Sequence, residues 1–501
     1  MAVGKGAARK RILFVYNSSE HIGLTWLSAV LKEHGHEVRL AFDPQLLRGE
    51  PLVRVPGLVE SFDLSEKIVQ LAVDWDPDVV GFSCYTDNFR WMLQIAEAIK
   101  ERSPRALTVF GGVHVSAVPE VVGSYSQVDA MVLGEAEYAL LELVESLEDG
   151  KIASDIANVW SRGADGWIRN PLRPYIEDLD ALPNRDYSLF YDKVPAMEDT
   201  YLCMTSRGCP YSCSYCSVEM YHRIYTAIGD KTRVRKRSID AVLEELAEVK
   251  RRGRARSIAF YDEVFTSPRR WLEEFLPRYR AEIGLPFWCY TYPSGLNDEL
   301  ARAMADAGCW MMTMGVQSGS REIRRNVMDR RESDEKVFAT ARAIKDAGIR
   351  LSVDKILGSP GEDAGDRALD LRTFREINPD RILTFPLTFF PGTDMVRRAE
   401  EAGELTSEER ERLEHGYLEQ SPLQGRLAVD AHAYRKLRIQ MGMISLFGRF
   451  ERVLEPLAGA LANSPGAGLV NPLLLAANAV RIGDRKFGYL LHVALSSKNL
   501  P

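Results

Sequence analysis

The sequence lacks any apolar run long enough to cross a membrane, which takes about 20 residues. Its longest such run, residues 469–480, contains two asparagines and a proline. The first ten residues precede a strand-like run and lack the apolar core of a signal peptide. We therefore expect no transmembrane segment and a cytoplasmic location.

A surplus of positive charge is also lacking. The 501 residues include 64 lysines and arginines against 71 aspartates and glutamates, which gives a net charge of −7. This balance argues against nucleic acid as the main partner. Two basic runs, residues 233–237 and 250–256, are expected to be solvated helix ends and loops.

Cysteine is scarce, with seven residues and no regular framework, which is typical of a reducing cytoplasm. Three of them, Cys209, Cys213 and Cys216, have C-x3-C-x2-C spacing. Closely spaced thiolates suit an iron–sulfur cluster or zinc. A closed zinc site would need a fourth ligand, for which His222 is the only neighbour, whereas three thiolates leave one iron of a 4Fe-4S cluster open. We favour the open 4Fe-4S site.

Residues 1–150 alternate between apolar runs and helical patterns. The strand-like runs are residues 11–16, 37–42, 78–83, 107–110 and 129–133. The alternation predicts an α/β fold with a doubly wound parallel sheet, which binds ligands outside the carboxyl ends of its strands. Gly111 and Gly112 follow the fourth run and would let the backbone approach a large flat ligand; a tight turn is the alternative.

Beyond residue 150 the pattern changes three times. Residues 151–198 predict a small hairpin, turning at 163–166, and an extended linker. Residues 199–392 alternate again, and six strand-like runs predict a partial (β/α)6 TIM-like barrel whose catalytic groups lie at the carboxyl ends of its strands. These runs are residues 201–206, 257–261, 287–291, 311–316, 351–356 and 382–389. Residues 393–501, with helical patterns at 396–418, 430–461, 469–482 and 487–496, predict a small helical domain that could cap the barrel mouth.

The first 150 residues resemble the cobalamin-binding domain that precedes many radical S-adenosylmethionine (SAM) domains. The marks are GG-x-H–x4–P-E at residues 111–120 and G-E-x-E at residues 134–137. The resemblance implies these cobalamin-binding residues: Ser18, Ser83, Gly111, Gly112, His114, Gly134 and Glu135.

The first loop departs from one pattern of corrinoid proteins. Carriers that supply a histidine to cobalt use D-x-H-x-x-G, whereas residues 19–24 read S-E-H-I-G-L. We therefore expect His21 to be an ordinary loop histidine. Cobalt would then have no protein histidine beneath it, and residues 83–88 would line its lower face.

Residues 201–390 resemble the radical SAM superfamily, whose cysteine loop follows the first strand. The resemblance implies that SAM chelates the open iron of the cluster. It also implies these SAM-binding residues: Tyr215, Asp262, Glu263, Gln317, Ser318 and Gly358. Asp262 and Glu263 would receive the methionine ammonium, with a surface helix cap as the alternative. Glutamine stands at 317 where related enzymes often have glutamate.

Together the resemblances imply a cobalamin-dependent radical SAM enzyme with a 4Fe-4S cluster, SAM and cobalamin as cofactors. The commonest outcome in the family is methyl transfer from methylcobalamin to a carbon radical made by the 5′-deoxyadenosyl radical, which predicts a C-methyltransferase of biosynthesis. A radical cyclase, ring-rearranging or oxidising enzyme is the alternative, and a cofactor carrier is a third. We expect a small-molecule or peptide substrate and a flavodoxin- or ferredoxin-like electron donor. The four remaining cysteines are isolated, which argues against methylthiotransferases.

Overall fold

The computed structural model describes residues 8–44, 63–148, 150–418, 431–448, 451–464 and 466–483. No helix within these ranges is long and apolar enough to span a bilayer. The helical pattern predicted at residues 487–496 lies outside them.

The first sheet contains the five predicted parallel strands, in the order β2-β1-β3-β4-β5. An antiparallel hairpin, β6 and β7, extends it beyond β5 and turns at Gly163–Gly166, as predicted. The strands are β1 (Arg11–Asn17), β2 (Glu37–Asp43), β3 (Val79–Ser83), β4 (Leu107–Gly111), β5 (Ala130–Val132), β6 (Val159–Gly163) and β7 (Gly166–Arg169). The central strands are buried along almost their whole length, because helices cover both faces of a doubly wound sheet.

Helices accompany these strands and lead into the second sheet. They are α1 (Ile22–Glu33), α2 (Ser65–Trp75), α3 (Phe89–Arg102), α4 (Val113–Ala117), α5 (Pro119–Val122), α6 (Glu137–Glu145) and α7 (Ser188–Tyr191).

The second sheet has six parallel strands in the order β15-β14-β13-β12-β11-β8, which confirms the predicted open barrel. They are β8 (Thr200–Cys203), β11 (Ser257–Phe260), β12 (Phe287–Thr291), β13 (Cys309–Gln317), β14 (Arg350–Leu357) and β15 (Arg381–Pro386). The sequence pattern missed a separate antiparallel pair, β9 (Ser206–Gly208) with β10 (Val234–Lys236), because each strand has only three residues. The barrel helices are α8 (Ser217–Ala227), α9 (Ile239–Arg252), α10 (Arg269–Glu282), α11 (Asp298–Asp306), α12 (Asp334–Asp346) and α13 (Ala364–Ile377).

Within the described ranges, five further helices follow the barrel. They are α14 (Asp394–Glu401), α15 (Ser407–Glu414), α16 (Ala431–Phe447), α17 (Glu451–Ala462) and α18 (Ala467–Ile482). Asn478 and Arg481 of α18 donate to the carbonyl of Asp380, which directly precedes β15. Of the helices expected to cap the carboxyl end, α14 and α15 do pack there, where Met395, Val396 and Leu413 share a cluster with Leu387 and Phe389. The end of α18 instead packs at the amino end of the sheet. Its Ile482 is buried against Trp288 and Met311 of the barrel interior.

Candidate functional site

The cysteine triplet lies on the loop between β9 and α8, above the carboxyl ends of the barrel strands. The three cysteines pack with Val264 and Tyr292. Burial raises the pKa of the Cys209 thiol to about 12 and that of the Cys216 thiol to about 11. Both thiols therefore stay protonated unless a bound metal centre displaces the protons.

A closed zinc site would need a fourth protein ligand beside the three thiolates, and His222 was its candidate. The ring of His222 instead donates from Nε2 to the carbonyl of Cys209, 3.1 Å away.

A buried arginine beside the triplet was not predicted from the sequence. The Arg330 guanidinium lies 3.9 Å from the Cys213 sulfur and 3.3 Å from the Tyr215 hydroxyl. It donates to the carbonyl of Gly315 and to Glu332, and it is 3% exposed. Because it occurs in the run D-R-R-E, it resembles an exposed charged turn in sequence. Its charge can stabilise anionic thiolates or bind a carboxylate.

The predicted acidic pair after β11 has two different environments. Asp262 is fully buried and accepts hydrogen bonds from the backbone and hydroxyl of Thr205 and from Ser206. Glu263 is exposed to the cleft between the sheets, where it acts electrostatically on Cys209. The walls of that cleft desolvate its carboxyl group and raise its pKa to about 7. Glu263 alone is available to an ammonium group.

The other predicted SAM-binding residues lie on two turns that one buried network connects. Gln317 ends β13 with a φ of +68°, and Gly358 follows β14 with a φ of +75°. Ser318 is fully buried, and its hydroxyl lies 3.3 Å from Asp370. Lys355 of β14 lies 2.9 Å from Asp370 and 3.3 Å from Glu362, and all three side chains are fully buried.

Beside α18 the barrel contains a cavity of about 330 Å³, which reaches the first residues of β8, β11 and β15. Residues alternate along the strands, so Trp288 and Tyr290 face the cavity while Cys289 packs against the helices. Among the described residues the lining is mainly aromatic and apolar, and its charged members are Asp354, Arg256 and Arg381. Burial raises the pKa of the Asp354 carboxyl to about 7. This lumen is the candidate substrate site.

A second cavity, of about 230 Å³, lies at the carboxyl ends of β1, β3, β4 and β5. Five of the seven residues predicted to bind cobalamin line it: Ser83, Gly111, Gly112, Gly134 and Glu135. Much of the remaining lining is apolar, including Phe14 and Leu140. A mainly apolar cavity bordered by glycine-rich loops fits the buried part of a large, mostly uncharged cofactor.

The other two predicted residues do not line this cavity. Ser18 has a φ of +84° and donates its backbone N–H to Asp43. His114 is 1% exposed, lies 3.1 Å from the Thr86 hydroxyl and packs against the ring of Phe89. Both residues shape the loops behind the cavity.

Two glycines of the first sheet are also required by the packing around them. A Cβ on Gly112 would lie 2.8 Å from the backbone of Cys84, and its φ is +95°. A Cβ on Gly134 would lie 2.3 Å from the Tyr225 hydroxyl. The paired-glycine motif therefore also serves the contact between neighbouring loops.

Both ring nitrogens of His21 are engaged within the protein. Its Nδ1 accepts from the backbone N–H of Leu24 at 3.1 Å, so the proton lies on Nε2, which reaches the Ser83 hydroxyl at 3.1 Å. Burial lowers its pKa to about 4. His21 also lines the cavity of the first sheet, so its role as an ordinary loop histidine stays a prediction.

One charged run differs from the expectation. Residues 233–237 were expected to be solvated, yet Arg235 is 8% and Arg237 is 5% exposed. Arg235 pairs with Glu135 and Arg237 with Glu245. Partners from distant segments make their burial possible, and sequence spacing cannot reveal them.

Comparisons with known proteins agree with this geometry. The B12 binding domain family matches residues 11–144, and the radical SAM superfamily matches residues 204–373. The chain is 26% identical to an uncharacterized methyltransferase of Pyrococcus horikoshii, over 77% of this chain and 79% of that protein.

Two further similarities extend the comparison. The anaerobic magnesium-protoporphyrin IX monomethyl ester cyclase of Rubrivivax gelatinosus is 24% identical over 67% of this chain and 61% of its own length. The solved structure of OxsB, a cobalamin-dependent SAM radical enzyme with aqua-cobalamin and SAM bound, superposes with a TM-score of 0.68 at 14% identity. That superposition covers 98% of this chain and 79% of the OxsB chain, and it shows the shared fold.

Proposed function

Because the chain belongs to the cobalamin-binding radical SAM enzymes, we propose that it is a C-methyltransferase of biosynthesis. Its cofactors are a 4Fe-4S cluster, SAM and cobalamin. When bound, they would supply a 5′-deoxyadenosyl radical to remove hydrogen from an unactivated carbon and a methyl group to replace it. The chain's residues bind and orient these groups and exclude water.

The observation that carries the proposal is the position of Arg207. This residue lines the cavity of the first sheet and lies two positions before Cys209, so the cobalamin cavity and the cluster loop meet at one side chain. A radical made at one cofactor and a methyl group held at the other must reach the same carbon, which requires this proximity.

The roles of the remaining residues follow from their positions. Cys209, Cys213 and Cys216 would hold the cluster, and Glu263 would receive the ammonium group of SAM. Arg330 would bind its carboxylate, since a buried guanidinium beside the thiols is the matching charge. The lumen lined by Trp288 and Tyr290 would hold a small-molecule or peptide substrate with an apolar part.

We also propose a cytoplasmic protein reduced by a flavodoxin- or ferredoxin-like donor. All seven cysteines are free thiols, which suits a reducing compartment.

Anaerobic reconstitution with SAM, cobalamin, a reductant and candidate substrates tests the proposal. Methylation predicts S-adenosylhomocysteine together with 5′-deoxyadenosine, since one SAM is spent on the radical and another on remethylating cobalt. Formation of 5′-deoxyadenosine with product but without S-adenosylhomocysteine would instead favour a radical cyclase or oxidising enzyme, the second candidate that the similarity to the Rubrivivax cyclase supports.

A further inference from the structure

One loop of the first sheet, residues 134–137, contacts the cluster loop at both of its ends. On the amino side, Arg207 of β9 lies 3.1 Å from Glu135 and 2.6 Å from Glu137. On the carboxyl side, the backbone N–H of Glu135 donates to the hydroxyl of Tyr225 in α8, 2.9 Å away. The elements that enter and leave residues 209–216 are therefore fixed to the same loop.

β9 and β10 depend on these contacts because each strand carries a mostly buried arginine. Arg207 and Arg235 are directly opposite each other in this antiparallel pair, where like charges repel. The two carboxylate oxygens of Glu135 each bind one of them, at 3.1 and 2.9 Å. Their side chains are only 13% and 7% exposed, so without Glu135 water would compensate little of the repulsion.

The same residues form a wall of the first cavity. Gly134, Glu135, Glu137 and Arg207 all line it. A ligand in this cavity therefore contacts the residues that hold the cluster loop. When the cluster loop is in place, these residues form a complete contact surface for the ligand.

We propose that the cobalamin cavity and the cluster loop are thermodynamically coupled through Glu135. A ligand in the cavity contacts the ion pairs of Glu135 from one side, and the cluster fixes β9 and α8 from the other, so each stabilises the arrangement against which the other binds. Coupling of this kind is reciprocal, so each cofactor strengthens the binding of the other by the same factor. Glu135 is a positioning residue in this scheme, and the inference rests on the proposed function because it needs both cofactors.

Anaerobic titration with hydroxocobalamin, followed by absorbance, measures the coupling in protein with and without the reconstituted cluster. The dissociation constant should fall about 5-fold or more when the cluster is present, the lower end of typical coupling. In Glu135→Gln the ratio of the two constants should approach one. If Glu135 only contacted cobalamin, binding would weaken equally in both states and the ratio would persist, which would overturn the inference.

Glu142→Gln is the matched control. Its carboxylate also pairs with an arginine, Arg173, but it is 49% exposed and lies outside both residues 134–137 and the cluster loop. The ratio should stay at the wild-type value. A wild-type ratio of one overturns the coupling even if Glu135→Gln does not fold. Failure of the wild type to bind either cofactor would contradict the proposed function instead.

Discussion

The carboxyl ends of the two parallel sheets are built by different means. In the first sheet, glycines at positive φ and hydrogen-bonded histidines shape the loops around the cavity, as at Gly112, His21 and His114, and the charged groups lie on one wall, at Glu135, Glu137 and Arg207. In the second, buried charges hold the loops, as in the networks around Lys355 and Arg330. The first cavity suits a large and mostly uncharged ligand, whereas the second site must compensate an anionic cluster and a zwitterion.

This difference predicts how each half responds to substitution. Removing a charged or ligating group from the second site should abolish binding or destabilise the loops strongly. Changes in the first site should act through backbone shape and protonation, with smaller effects.

The largest effect is expected from Cys213→Ala. Two thiolates cannot hold the cluster, so iron and sulfide should be lost and no 5′-deoxyadenosine should form from SAM. Cys309→Ala, which removes an isolated buried cysteine of β13, should retain the cluster. Unchanged iron content in Cys213→Ala would contradict the assignment of the cluster loop.

Lys355→Met should have the next largest effect. It removes the cation between Glu362 and Asp370 and leaves two buried carboxylates unpaired. The free energy of unfolding, measured with urea, should fall by about 3–5 kcal/mol, and SAM should bind more weakly because both predicted turns depend on this network.

The exposed Lys250 provides the control for this experiment. Lys250→Met removes a hydrogen bond to the carbonyl of Glu282 at the surface and should change stability by less than about 1 kcal/mol. Equal losses in the two variants would show that the second site does not depend on its buried charges.

The fold could be predicted from the sequence because the strands of both sheets are buried apolar runs separated by helices. The candidate cluster cysteines could be proposed from the sequence because thiol chemistry lies in the side chains and their spacing is local. The positions of residues whose partners are distant in sequence could not be predicted. Arg330 resembles part of a surface turn in sequence, and the burial of Arg235 depends on its ion pair with Glu135 of the first sheet.

The different environments of Asp262 and Glu263 could not be predicted from the sequence either. Asp262 and Glu263 are adjacent and chemically similar, yet Asp262 is committed to Thr205 and Ser206 of the cluster segment. Which of two neighbouring carboxylates points inward depends on strand pleat and on the loop beside it, and neither is local in sequence.

Gly112→Ala tests the role of backbone shape in the first sheet. The variant combines a glycine-only conformation, φ +95° and ψ −174°, with a Cβ 2.8 Å from Cys84. Stability should fall by about 3 kcal/mol, from strain and overpacking together, and cobalamin should bind more weakly. In Gly35→Ala the φ is +85° but nothing lies within 4 Å of the new Cβ, so only strain of about 1 kcal/mol is expected. Similar losses in both would mean that the close approach to Cys84 does not matter.

The smallest effect concerns the protonation of His114. Burial lowers its pKa from 6.5 to about 3. Below about pH 6.5 the histidine is protonated in the unfolded chain but stays neutral in the folded chain. The free energy of unfolding should therefore decrease by about 1.4 kcal/mol for each unit by which the pH is lowered, from this group. Urea unfolding of His114→Gln should therefore give a shallower decline than the wild type between about pH 6 and pH 4. His34→Gln, at an exposed position, is the matched control. Parallel curves for His114→Gln and the wild type would mean that the histidine accepts its proton in the folded state, and burial would then not keep the loop behind the cavity uncharged.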